Sequence, residues 1–194
     1  MLNCEMKRLV IFLSLMMLCS GVFAQSVSSG FVSESSAVKF EETKGSIIKK
    51  ERFTTKNFSD LIYSVSISSA MITNLRTGEK VPYVIVGTIV DKVSYQSVID
   101  FDELPACIEA LDYIINSEVS NKPSNSVDVF FKTRDALEIG AIYNDIAIAG
   151  KKWQTAITHR KYVSNPTAIV SVKNLQEIMD ELESAKALLE EKMQ

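Results

Sequence analysis

Histidine, tryptophan, cysteine and glycine are scarce in this chain of 194 residues, which has one His, one Trp, three Cys and seven Gly. Each scarcity excludes a chemistry. With one histidine, and with Cys4 and Cys19 in the N-terminal segment read below as a signal peptide, the chain lacks the paired Cys and His ligands of a zinc or transition-metal centre. No G-x-G-x-x-G or G-x-x-x-x-G-K-[ST] string occurs, so nothing supports a glycine-rich cradle for a nucleotide phosphate. No nucleophile elbow or Cys–His signature is present either, which leaves nucleophilic catalysis without a local sequence sign. Cationic excess is also missing: 21 Lys and Arg face 24 Asp and Glu, for a formal charge of −3, so no global field gathers polyanions. What is present is 46% AVILMFWYC with only four Pro, the composition of a globular chain able to bury a core.

Lys7 and Arg8 precede an apolar run from Leu9 to Leu18, and Val22-Phe23-Ala24 closes the stretch before Gln25. A positive start, an apolar centre and a small-residue site identify residues 1–24 as a secretory signal peptide cleaved before Gln25. The run falls short of the roughly 20 residues that span a bilayer, so no membrane span is expected after cleavage. Cys19 follows an apolar run as a lipoprotein cysteine would, but bulky Leu18 stands where a lipobox needs Gly, Ala or Ser. The expected location is periplasmic or secreted. Loss of Cys4 and Cys19 with the signal leaves Cys107 as the only thiol. An internal disulfide is then excluded, and the fold must stand on its core.

Residues 25–37, QSVSSGFVSESSA, are Ser-rich and aperiodic and read as a flexible leader. Strand signals follow at 46–55, 61–72, 81–90 and 97–101, with 57–60, Arg76-Thr77-Gly78-Glu79 and 91–95 between them. The second separator is a hairpin turn in which Gly78 is free to take positive φ. The period then changes to helical: Leu104, Cys107, Ile108, Leu111, Ile114 and Ile115 share one face, and Glu103, Glu109, Asp112 and Asn116 the other. Asp102 is the expected N-cap, with Pro105 tolerated in the first turn. Cys107 lies on the apolar stripe, which predicts a buried, unreactive thiol.

A polar breaker at 116–126, with 119–126 as the linker, marks an internal boundary, and the order of elements then repeats. Strands are expected at 127–133, 137–144, 152–160 and 167–172, and a helix at 174–192. Its stripe is Leu175, Ile178, Met179, Leu182, Ala185 and Leu189, and Asn174 with Glu177 makes a capping-box-like start. At an offset of 71, residues 98–101 fall on 169–172, Leu104 on Leu175, Cys107 and Ile108 on Ile178 and Met179, and Leu111 on Leu182. At an offset of 70, Tyr83 falls on Trp153. The expected fold is α+β: two tandem ββββα units, 38–118 and 127–194, each a curved antiparallel sheet with one amphipathic helix, related by a pseudo-twofold.

Two such units, covering most of residues 38–192, resemble in topology the tandem PUR repeat and the related whirly-type fold of single-stranded nucleic-acid binders. Exported bacterial proteins that share the strand-Asp-x-Asp-Glu-Leu-helix junction seen at Asp100 to Leu104 are an equally good match and imply no activity. The nucleic-acid resemblance implies cations that track phosphates and aromatics that stack bases. Lys49, Lys50, Arg52 and Phe53 in the first strand, and Phe130, Phe131, Lys132 and Arg134 in its counterpart, recur at equivalent places. The acidic balance and the export signal weigh against that alternative.

The reading preferred from the sequence is an exported, non-enzymatic binding or interaction module with an envelope or extracellular partner, without cofactor or metal. Lys50, Arg52, Lys132, Arg134 and Trp153 are its ligand-binding candidates. Trp153 is also a candidate for one-sided burial against the second helix. His159, between Thr158 and the cations Arg160 and Lys161, is expected on the surface or half-buried at a strand end. A hydrolase would need the fold to bring an acid and a hydroxyl to it. Asp100, Asp102 and Glu103 could offer carboxylates to calcium, although an N-cap is the simpler role for Asp102.

Overall fold

The computed structural model describes residues 30–59, 63–146 and 150–194. The segment expected to be a signal peptide, with its expected cleavage site, lies outside the described residues. A short helix, α1 (Ser36–Glu41), leads into β1 (Ile48–Ser59), β2 (Ser64–Asn74), β3 (Lys80–Val90) and β4 (Val93–Asp100), an antiparallel meander in sequence order. A 3-10 turn, Phe101–Glu103, opens α2 (Leu104–Tyr113), which runs on into a π turn, Ile114–Glu118. The second meander is β5 (Val127–Lys132), β6 (Leu137–Ile146), β7 (Gly150–His159) and β8 (Thr167–Ser171), followed by α3 (Lys173–Met193). The molecule is α+β, with two four-stranded antiparallel sheets and a C-terminal helix.

The turns explain where strand ends depart from expectation. Gly78 takes φ 76° in the β2–β3 turn, where the side-chain oxygen of Asn74 accepts from the amide of Arg76 at 2.9 Å. Asp91 and Lys92 both take positive φ, 51° and 67°, which closes β3 to β4 in two residues. β4 therefore starts at Val93 rather than 97. Helix starts shift as well. The amide of Asp100 donates to Glu103 Oε2 at 3.2 Å, so the reciprocal contact belongs to Asp100, and Asp102 sits inside the 3-10 turn instead of capping it. Asn174 lies in the first turn of α3 and its side-chain Nδ2 donates to Glu177 Oε2 at 3.2 Å, so the side chain does not cap the backbone.

α3 buries the whole stripe its period predicts, Leu175, Ile178, Met179, Leu182, Ala185 and Leu189, whereas α2 buries Leu104, Cys107 and Leu111, with Ile114 buried in the π turn that follows and Ile108 and Ile115 half-buried. α3 crosses to the first sheet, lying mainly on β2 and β3, while α2 lies along α3 and reaches β5 of the second sheet. Val65, Ile67, Val84, Val86 and Ile99 of the first sheet therefore share one continuous core with Leu137, Ile139, Ile157, Ala168 and Val170 of the second.

The other face of the first sheet carries Ala70, Ile72, Tyr83 and Ile85, and α1 covers it with Ala37 and Phe40. The last residues of the segment read as a leader are thus held against the fold, with Ser35 and Ala37 buried. In the second sheet, Gly140 lets β5 come close. A Cβ at that position would stand 1.9 Å from the carbonyl oxygen of Val129, so no side chain fits there.

Candidate functional site

The five candidate residues do not converge. Lys50 and Arg52 are exposed on the edge strand β1, where Lys50 pairs with Glu41 of α1. Lys132 is exposed at the end of β5, the edge strand of the other sheet. Arg134 is held by acids: its guanidinium lies 3.1 Å from Asp100 and 3.4 Å from Glu103 and also pairs with Asp102. The three carboxylates weighed as a calcium site therefore surround an internal cation. Trp153 is buried in the shared core against Tyr143, with ring centroids 5.3 Å apart, and its indole N–H donates to the Asn121 carbonyl at 2.8 Å. Phe53 and Phe131 pack against the same core. Among the described residues no group of three or more His, Cys, Asp and Glu side chains could hold a metal ion, and no helix is long and apolar enough to cross a membrane.

His159 is not at the surface; its exposure is 0%. The alternation of β7 carries Trp153, Thr155, Ile157 and His159 to one face, and that face meets the first sheet. There Nε2 lies 2.9 Å from Thr88 Oγ1 and Nδ1 lies 2.9 Å from Ser97 Oγ. The ring is bracketed by hydroxyls, with Tyr95 and Tyr162 beside it. A triad needs an acid to orient the imidazole and an open face for substrate, whereas the ring's partners here are two buried hydroxyls. Burial, and then the charge of Lys161, push the His159 pKa down to about 3 from 6.5.

The unfolded chain binds a proton on His159 below about pH 6.5 and the folded chain does not until about pH 3, so stability is full above pH 6.5 and falls as the pH drops between those values. The loss expected from this group between pH 8 and pH 5 is about 2 kcal/mol. Urea denaturation at the two pH values, compared with His159→Gln, checks it. A variant that loses as much stability on acidification as the parent would contradict the buried neutral imidazole.

Cys107 is likewise sealed at 0% exposure, and burial followed by the nearby charge of Glu103 pushes its thiol up to about 12. Labelling of the native protein by a thiol reagent is expected to be slower than that of a free thiol by at least about a hundredfold, since only the thiolate reacts and burial restricts access. Rapid labelling would contradict the packing of α2.

Two buried carboxylates fasten the N-terminal segment. Asp100 accepts from Ser35 Oγ at 2.7 Å and from the amides of Ser36 and Ala37 at 2.7 and 3.0 Å. Asp135 accepts from Ser33 Oγ at 2.7 Å, from the amide of Val98 at 2.9 Å and from Lys161 at 2.7 Å. Their bonds are made within the fold, and they act as clamps.

An open groove of about 390 Å³ runs between α2 and β5. Ala106, Glu109, Ala110, Tyr113 and Ile114 form its helical wall, and Val129 and Phe130 its strand wall. Among the described residues β5 pairs only with β6, so its other side is a sheet edge. Small side chains on the helix leave space beside that edge, and Tyr113, 58% exposed, supplies an aromatic lip. An edge strand next to a helix is the geometry into which an extended polypeptide adds as a further strand, taking backbone hydrogen bonds from the edge and side-chain contacts from the helix. Sequence reasoning missed the groove residues other than Phe130. Ala106 and Ala110 have no signature of their own, and only tertiary packing places them beside β5. No protein-family model matches the chain, and a search of curated proteins finds no match.

Proposed function

We propose that this chain is an exported, non-enzymatic interaction module of the periplasm or extracellular space, and that the groove between α2 and β5 takes an extended polypeptide segment as an added strand. The observation that carries this reading is the open edge of β5 beside the small residues Ala106 and Ala110. The roles of the reactive side chains support the non-enzymatic part: His159 and Cys107 are sealed, and Asp100 and Asp135 clamp the N-terminal segment.

The module is a duplicated ββββα unit with exchanged helices. Residue offsets support this: the β3–β4 register of Tyr83 opposite Asp100 becomes the β7–β8 register of Gln154 opposite Ser171 when each number rises by 71. The same step takes the buried set Leu104, Cys107 and Leu111 of α2, with Ile114 of the π turn, onto Leu175, Ile178, Leu182 and Ala185 of α3. Thr88 and His159, bonded to each other and 71 residues apart, would lie at a pseudo-twofold axis. In that register Tyr83 is level with Gln154, one residue from the match to Trp153 that the apolar pattern suggests.

Peptides selected from a display library against the mature protein test the groove. Ala110→Trp, which fills it, is expected to weaken their binding at least about tenfold, while Lys50→Ala and Arg52→Ala leave it unchanged. Peptides that bind the Ala110→Trp protein equally well would overturn the groove. Single-stranded oligonucleotide binding that is lost in Lys50→Ala and Arg52→Ala would favour the nucleic-acid module of PUR or whirly type instead. Export is tested by intact mass: the exported protein is expected to begin at Gln25, and an unprocessed chain or a lipid on Cys19 would contradict it.

A further inference from the structure

We infer that the segment taken by the groove is β5 of a second copy of this chain, which joins two second sheets edge to edge into one continuous sheet. The inference rests on the reading of the α2–β5 groove as a strand acceptor. Its basis is the self-complementary sequence of the edge. In β5, Val127, Val129 and Phe131 pack toward the core, so Asp128, Phe130 and Lys132 lie on the opposite face. When two β5 strands pair antiparallel with Phe130 opposite Phe130 of the second copy, Asp128 stands opposite Lys132 at both ends of the pair. One face then carries two ion pairs flanking an aromatic pair, and the other carries Val129 opposite Phe131 twice. A slip of two residues in either direction sets a charged side chain against Phe130 and leaves the other charges unpaired, so this register is the favoured one.

The edge of the first sheet makes the comparison. Antiparallel self-pairing of β1 about Glu51 would set Lys50 against Arg52, like charge on like charge, the usual protection of an exposed edge. β5 has opposite charges at the corresponding places and two adjacent phenylalanines between them, so that protection is absent. The groove supplies the room. The incoming strand's core-side Val129 and Phe131 would meet Ala106, Ala110 and Tyr113 of α2, and the contact is isologous, each copy filling the other's groove.

Sedimentation equilibrium of the mature protein over rising concentration, with Asp128→Lys, Lys132→Asp and the double exchange, tests this. The parent is expected to dimerise. Each single reversal sets like charges opposite each other at both ends and should weaken the dimer about tenfold, and the double exchange should restore it to within about threefold of the parent. Both exchanged positions, Asp128 and Lys132, are exposed near the ends of an edge strand, and unchanged circular dichroism and melting confirm that each variant is folded. A protein that stays monomeric throughout would overturn the inference; peptide capture that is lost in Ala110→Trp would then leave the groove standing with a different occupant. A dimer indifferent to both single reversals, or one the double exchange fails to restore, would overturn it as well.

Discussion

Leu182→Ala is expected to destabilise the whole chain by about 2–5 kcal/mol, and Leu111→Ala by a similar amount, each through a single unfolding transition. Both leucines are fully buried, one on each helix of the shared core. Truncation of either removes transferred apolar surface and leaves a cavity that neighbours close only in part. The effect is global because of where the helices go. α3 follows β8 in sequence but lies mainly on β2 and β3, so a hole beneath it loosens the first sheet, and α2 carries the same coupling to β5. In denaturant titrations both variants should shift the midpoint while leaving the slope unchanged. A second transition appearing in either variant would show that one sheet melts without the other.

Asp100→Ala is expected to cost about 3 kcal/mol and to release α1. The carboxylate is 2% exposed and accepts from Ser35 Oγ and from the amides of Ser36 and Ala37, with the Arg134 guanidinium 3.1 Å away. Removing it leaves buried donors and a charge without their acceptor, the case in which a buried pair costs most to break. Arg134 retains some solvent contact and two other carboxylates, which keeps the figure at the low end of such losses. α1 has only Ala37 and Phe40 to hold it by apolar contact. Limited proteolysis should therefore cut the variant within residues 33–45 and spare the parent there. Equal resistance in both proteins would show that apolar contact alone holds the helix.

Sequence periodicity carries the second helix best because its stripe keeps one 3.6-residue phase from end to end, and the buried residues of α3 are the six the phase names, whereas the first helix passes into a π turn at Ile114 and leaves Ile108 and Ile115 half-buried. Strand order was legible for a related reason, since two-residue alternation and turn residues bound each segment. What the sequence left out depends on contacts remote along the chain. The six residues Ser36–Glu41, at the end of a Ser-rich segment, become α1 because Asp100, more than 60 residues away, accepts its first amides, and no local pattern encodes that acceptor. Asp91 and Lys92 turn tightly without a glycine, so the turn reads longer than it is. His159 was misplaced because Arg160 and Lys161 suggested solvent; its phase with Trp153 and Ile157 was the signal to follow. None of the five candidates lines the groove: Lys132 follows its strand wall two residues after Phe130, and the charges that marked Lys50 and Arg134 are taken up by ion pairs within the fold.

The most direct measurement of the interlocked core uses two natural probes. Trp153, the single tryptophan, reports the second sheet, and Cys107, on the helix that follows the first, reports α2 by pulsed thiol labelling. Urea unfolding of the mature protein followed by both should give one midpoint and one slope, because neither sheet keeps a closed core once the crossing helices leave. Two separated midpoints, with Cys107 labelled while Trp153 remains native-like, would contradict the shared core.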